Sequence, residues 1–167
     1  MTLFLEAAPK FETLSWLFVG AVALHNLEEA IWLPAWSRTV ERWHSPISEF
    51  EFRFAVAVLT LLAAGAAWLA VAQGSESLGD YIVSGYALAM LINVILPHVA
   101  ATVALRSYAP GTATALILIA PVTILLIREG LESAYITLAT FTLVGPAVVF
   151  AIAVMIPVLF KLGSWLR

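Results

Sequence analysis

Cysteine is absent from all 167 residues, which excludes disulfides and thiolate metal sites and leaves the redox compartment unmarked. Charge is nearly absent too: Asp, Glu, Lys and Arg together make up 11% of the chain, against about 25% in a soluble domain. With a formal charge of −3 there is no basic surface of the kind that binds nucleic acid. The opening MTLFLEAAPKFETLSW has no basic stretch leading into an apolar run and a small-residue cleavage site, so the first apolar run is expected to stay in the mature protein. No internal repeat or low-complexity tract is visible, and an inverted-repeat transporter therefore has no support.

What fills the chain instead is apolar residues, at 62%, with a mean hydropathy of +0.99. This composition predicts an all-α, polytopic transmembrane helical bundle forming a single integral membrane domain over residues 1–167. A span needs about 20 apolar residues, and the punctuation divides the chain into about five: 13–34, 51–73, 80–106, 111–128 and 131–160. The breaks are Pro34 with the polar segment after it, Gln73-Gly74-Ser75-Glu76-Ser77, Tyr108-Ala109-Pro110-Gly111, and Arg128-Glu129-Gly130. The fifth span contains Pro146 and Pro157 and is read as one helix. Between the first two spans, Trp36, Val40, Trp43 and Ile47 recur at helical intervals, which predicts a short interfacial amphipathic helix over about 36–49, with His44 solvated beside it. Trp16, Trp32, Trp36, Trp43 and Trp165 fall near span ends, as belt residues do, while Trp68 lies deeper and is expected to line the bundle. Six Lys and Arg residues (Arg38, Arg42, Arg53, Arg106, Lys161, Arg167) fall on one side and two (Lys10, Arg128) on the other. That bias places the C-terminus in the cytoplasm of what is expected to be a bacterial cell membrane.

Against this apolar background one cluster stands out. His25, Glu28 and Glu29 sit within the first span at offsets that bring all three to one face of a helix. Ionisable groups at membrane depth are costly enough to suggest a site by default. In the third span, Asn93 and His98 would lie about 140° apart on a regular helix, but Pro97 has no N–H and crowds the carbonyl of residue 93. A kink there would let both address one pocket. The first and third spans run in the same direction and carry their polar residues at a similar depth. His25, Glu28, Glu29 and His98 then offer a ligand set suited to zinc first, with iron or manganese next. Four ligands fit a mononuclear site better than a di-iron one, and Glu132, at the other end, is out of reach. No organic cofactor is indicated. Arg53, opening the second span at the pocket mouth, is expected to snorkel to the headgroups or to pair with Glu29.

The sequence resembles the family of integral membrane proteins named for its HXXEE motif. The resemblance rests on His25-Asn-Leu-Glu28-Glu29, on Asn93 with His98 five residues on, and on Tyr108-Ala-Pro110-Gly111, in that order over roughly residues 15–130. It implies an integral membrane protein and singles out these residues, but it names no reaction. Through it Tyr108 gains a place, shaping the mouth of the pocket with the Pro110-Gly111 turn.

The leading mechanism has His25, His98 and one glutamate ligating a divalent metal, the second glutamate accepting a proton from metal-bound water, and Asn93 orienting a substrate carbonyl. The outcome would be hydrolysis of a hydrophobic or lipid-like substrate in the bilayer. A metal-free alternative uses Glu28 and Glu29 as a proton-transfer pair, since two adjacent carboxylates in low dielectric cannot both ionise cheaply. Two further readings are a small-molecule or proton-coupled transport module, which needs a wet path to both faces, and a polar knot that only fixes helix packing.

Overall fold

Each apolar run becomes a helix in a computed structural model, which describes residues 10–42 and 46–167. Five long helices make up the bundle among these residues: α1 (Phe11–Ser37), α2 (Glu49–Gln73), α3 (Leu78–Leu105), α4 (Thr112–Glu132) and α5 (Leu138–Leu166). The last four are long and apolar enough to cross a membrane; α1 matches them in length but carries three carboxylates, Glu12, Glu28 and Glu29. Large apolar side chains cover the outside, among them Leu61, Ile117, Leu143 and Phe150, each at least 70% exposed. A soluble protein would bury such residues, and this is a membrane protein.

The interior is made by small residues that let the helices approach closely. Ala63, Ala66, Ala67 and Ala70 form a buried stripe on α2, and Phe18 and Val22 of α1, Val83 and Ala87 of α3 and Ile119 and Leu126 of α4 pack into the same core. At Gly79 an added Cβ would lie 2.4 Å from the backbone nitrogen of Ala70, so only glycine permits the α2–α3 contact there. Ser77 caps α3 by accepting from the Asp80 N–H while Asp80 accepts from the Ser77 N–H, a reciprocal capping box.

Several boundaries differ from the sequence expectation, each for a local reason. The first helix does not stop at Pro34 but runs through it to Ser37. Proline at 34 leaves the carbonyl of Ala30 without its helical donor, and the Arg53 Nε donates to that carbonyl at 3.2 Å. Arg53 also contacts Glu49 at 3.5 Å, while Glu29 is not among its described partners. Its place is therefore that of a replacement donor. Arg53→Ala is expected to cost about 0.5–1.5 kcal/mol of stability, and much less in a Pro34→Ala background, where residue 34 regains its N–H. Thermal unfolding of the four proteins of this cycle reads the coupling.

Among the described residues after α1, Arg38–Val40 form a single tight helical turn, and Ser48 is extended just before α2. Trp43 and His44, to which an interfacial and a solvated role were assigned, lie outside the described residues. Gly130 stays inside α4, which runs to Glu132 and carries an exposed Arg128–Glu132 pair at 2.7 Å in its last turn, and α5 begins at Leu138 and not near 131. From there α5 is one helix through Pro146 and Pro157. Trp68 is 60% exposed and faces outward, not into the bundle as expected.

Candidate functional site

The polar residues of α1 divide by direction. His25 and Glu29, at i and i+4, turn toward α3, while Glu28 turns toward the start of α4. Asn26, between them, bonds the Val56 carbonyl at 3.2 Å and the Thr60 hydroxyl at 2.8 Å and so fixes α1 against α2.

On α3 the expected kink is present. The helix widens over Val94–Val99, and Leu96 leaves helical conformation altogether, with φ −124° and ψ 111°. The peptide bond into Pro97 is cis. The interruption carries His98 round to the side of Asn93, whose Nδ2 lies 3.0 Å from His98 Nε2 and 3.4 Å from His25 Nε2. Both imidazoles are buried, at 1% and 2% exposure, with ring centroids 4.8 Å apart and planes perpendicular.

Glu29 completes the group. Its oxygens stand 3.6 Å from His25 Nε2 and 3.4 Å from His98 Nε2, and one ligand atom from each of the three residues falls within 4.8 Å of the others. Tetrahedral ligands held about 2.0–2.1 Å from a zinc ion stand about 3.3–3.4 Å from one another. The two Glu29 separations, one from each oxygen, are close to that edge length, and the full set with one atom from each residue is wider, reaching up to 4.8 Å.

Glu28 does something different. Its Oε1 accepts from the Gly111 N–H at 2.9 Å and from the Tyr108 hydroxyl, and its Oε2 accepts from the Thr114 hydroxyl at 2.7 Å and the Thr114 N–H at 3.3 Å. The carboxylate thus caps the N-terminus of α4 from another helix, where free N–H groups and the helix dipole both favour a negative charge. Tyr108 in turn accepts from the Ala113 N–H at 3.1 Å. Partial burial and the neighbouring Glu28 carboxylate hold its phenol above the ordinary tyrosine range, which keeps it a donor.

The same bonds assign the histidine tautomer. Thr114 has one hydroxyl proton, and its short bond to the Glu28 carboxylate takes it. Its oxygen is left to accept from His25 Nδ1, 3.0 Å away. His25 Nε2 is then a lone pair, in agreement with the Asn93 amide that points at it. This lone pair faces a Glu29 oxygen at 3.6 Å, acceptor against acceptor, in an interior with few water contacts. Two such atoms side by side call for a cation or a shared proton between them.

Of the residues singled out in the sequence, His25, Glu29, Asn93 and His98 meet at one point. Glu28, expected among the ligands and as a base, has both oxygens engaged by the α3–α4 connection and lies outside the group. Tyr108 does lie at the edge of the site, half exposed, but its hydroxyl is spent on Glu28. Thr114 escaped the sequence reading, and Gly111, placed there only in the turn at the pocket mouth, lies against the group itself. Gly111 has φ +92°, and a Cβ there would fall 2.5 Å from His98 Cε1 and 3.1 Å from Glu29 Cγ. Thr114 links Glu28 to His25. The signal for both was a Gly-Thr-Ala-Thr run opening an apolar helix, where polar residues near the first turn meet free N–H groups.

A cavity of about 660 Å³ opens beside Glu29 and Asn93, between α1, α2, α3 and α5. Toward the other end of the bundle the interior closes: Phe18, Val22, Ala87 and Ile119 are all 0% exposed and share one apolar core.

Comparison with known proteins bears on these residues directly. The family model described as "Protein of unknown function with HXXEE motif" matches residues 16–126, a stretch that contains every residue of the group. A curated relative from Bacillus subtilis (strain 168), "Uncharacterized protein YrkK", is 38% identical over 147 residues, covering 88% of this chain and 93% of the relative. No solved structure matches. With two thirds of its length matched by the model and a full-length relative beside it, the chain belongs to the family of proteins carrying the HXXEE motif.

Proposed function

We propose that this chain binds a divalent metal ion within the membrane through His25, Glu29 and His98 and uses it to hydrolyse a hydrophobic or lipid-like substrate. The observation that carries the reading is the meeting of acceptors: a carboxylate within 3.4–3.6 Å of two imidazole nitrogens, of which His25 Nε2 is already positioned as a lone pair. Two imidazoles and one carboxylate leave a fourth position open, the arrangement of catalytic rather than structural zinc. Zinc is the first choice, with iron or manganese compatible with the same donors.

When bound, such an ion supplies an acidified water and polarises a carbonyl. The protein's own residues do the rest. Glu29 would hold the ion through one oxygen, leaving the other free to accept a hydrogen bond. Asn93 turns its amide toward the substrate carbonyl and orients it. Glu28 serves neither as ligand nor as base: through Thr114 it holds His25 in the tautomer that presents Nε2, the kind of outer support that is worth about 10–100-fold in metal affinity or activity. Glu28→Gln is therefore expected to weaken binding by about that factor without abolishing it. Titration of the purified variant with zinc and a competing chelator measures the change.

The six-to-two distribution of Lys and Arg supports a cytoplasmic C-terminus, and the Bacillus subtilis relative supports a bacterial membrane. Transport gains no support from Phe18, Val22, Ala87 and Ile119, which are fully buried in one apolar core beside the group.

A second reading has one observation in its favour. The Asn93 amide reaches both Nε2 atoms and can close the cluster by hydrogen bonds alone, leaving a metal-free acid–base pocket. Elemental analysis of protein purified in detergent separates the two. The metal reading expects a single ion per chain, lost in Glu29→Gln, and ester hydrolysis abolished by chelation. Protein free of metal whose hydrolysis survives exhaustive chelation would leave only the acid–base reading.

A further inference from the structure

The cavity beside the group is polar at one place and apolar everywhere else. Of the polar side chains that line it, Asn26 is committed to Val56 and Thr60, and the Tyr86 hydroxyl donates to the Leu59 carbonyl at 2.9 Å. That leaves Glu29 and Asn93 as the polar groups that face a guest. Away from them, the wall continues along α3 from Asn93 back to Tyr86, seven residues or about 10 Å of helix. Leu59 of α2 and Val149 of α5 line that stretch of the wall.

We infer that this cavity holds a single-chain amphiphile carrying a neutral carbonyl head, an ester or amide of a medium-length alkyl chain, with the head against Glu29 and Asn93 and the chain laid toward Tyr86. The inference deepens the reading above, since it rests on Glu29 and Asn93 facing the reacting group. Segregated lining is the recognition element: an alkane would leave the polar end unpaired, and a wholly polar molecule would waste the apolar wall. Size restricts the guest further. At about 30 Å³ for each water-sized group, 660 Å³ holds about 22 of them, which suits one chain and a small head. A phospholipid with two chains has more than twice as many heavy atoms. A neutral head also avoids setting a second carboxylate against Glu29.

The space exists because small residues line it. Ala89 of α3 and Ala153 of α5 both face the cavity, and Ala153 is exposed there, so a larger side chain at 153 fills the chamber without displacing a packed neighbour.

The test is photolabelling of the full chain in phosphatidylcholine nanodiscs, with methyl dodecanoate bearing a diazirine at the chain end. Label is expected on peptides containing Leu59, Tyr86 and Val149. Unlabelled methyl dodecanoate and methyl octanoate should displace it, and dodecane should not. Ala153→Phe should cut labelling by at least about tenfold, the scale of an overfilled site, while metal content and Tm stay at wild-type values. Label spread over the lipid-facing Leu61, Leu143 and Phe150 and indifferent to Ala153→Phe would mean annular lipid only and would overturn the inference. Metal content is measured on the same samples: labelling as expected in a metal-free protein would uphold the amphiphile site and reject the metal reading alone.

Discussion

His98→Ala protein, purified in detergent and titrated with zinc, will bind the ion more than about a hundredfold more weakly than the wild type, beyond the 10–100-fold range set by supporting residues. The imidazole is one of the three donors of the proposed site, and no other described side chain is placed to take over: Glu28 is held by Gly111, Tyr108 and Thr114, and Asn93 already faces the same point. The fold will survive, because the kink at Val94–Val99 is set by the backbone, where Pro97 has no N–H to donate and Leu96 leaves helical conformation, and not by the imidazole. The ordering of variants matters as much as the size of the effect. Loss should be greatest for His98→Ala and Glu29→Gln, intermediate for Glu28→Gln and Thr114→Val, and absent for Tyr86→Phe. Zinc affinity unchanged in His98→Ala would remove the basis for a metal at this point.

Gly111→Ala will be strongly damaging for a single added methyl group. The residue has φ +92°, where a side chain is strained whatever the space, and the added carbon would meet the edge of a buried imidazole at 2.5 Å. Backbone strain of about 1–3 kcal/mol and overpacking of about 1–3 kcal/mol both apply. The two add to a loss of about 2–6 kcal/mol unless His98 swings away, and in that case the metal group is broken instead. Either way the variant fails a combined measurement of thermal unfolding and zinc stoichiometry. Gly20 and Gly65, where an added Cβ meets nothing within 4 Å, are the matched controls and should accept alanine without loss. If Gly111→Ala matches those controls in both Tm and metal content, the close approach of the α3–α4 turn to His98 and Glu29 is wrong. The same geometry gives the glycine of the Tyr-x-Pro-Gly signature a physical reason: it lets the turn lie against the ligands, so that its N–H can reach Glu28.

Much of this was readable before any coordinates. The apolar runs specify helices because backbone groups in lipid must pair within their own segment. His25 and Glu29 share a face because i and i+4 always do. Pro97 announces a kink because it removes a donor and crowds the turn before it, and the kink is what joins Asn93 to His98. What local rules could not supply is which of two adjacent carboxylates faces the two histidines. Glu28 and Glu29 are about 100° apart on the helix, and the choice falls to whatever packs against each side.

That choice was made by the return of the chain after α3. Arg106, with φ 51°, ends the helix, and the chain folds back so that Tyr108, Gly111 and Thr114 reach Glu28, although 80 or more residues separate them in sequence. Arg53 likewise becomes the donor for Ala30 only because α2 lies alongside the gap that Pro34 opens. The sequence by itself determined the helices, the kink and the identity of the polar residues, since these follow from side-chain spacing and backbone chemistry within one segment. Tertiary structure alone decided that Glu29 joins His25 and His98 while Glu28 holds the turn, because a carboxylate goes to the donors that surround it, and those donors come from a distant part of the chain.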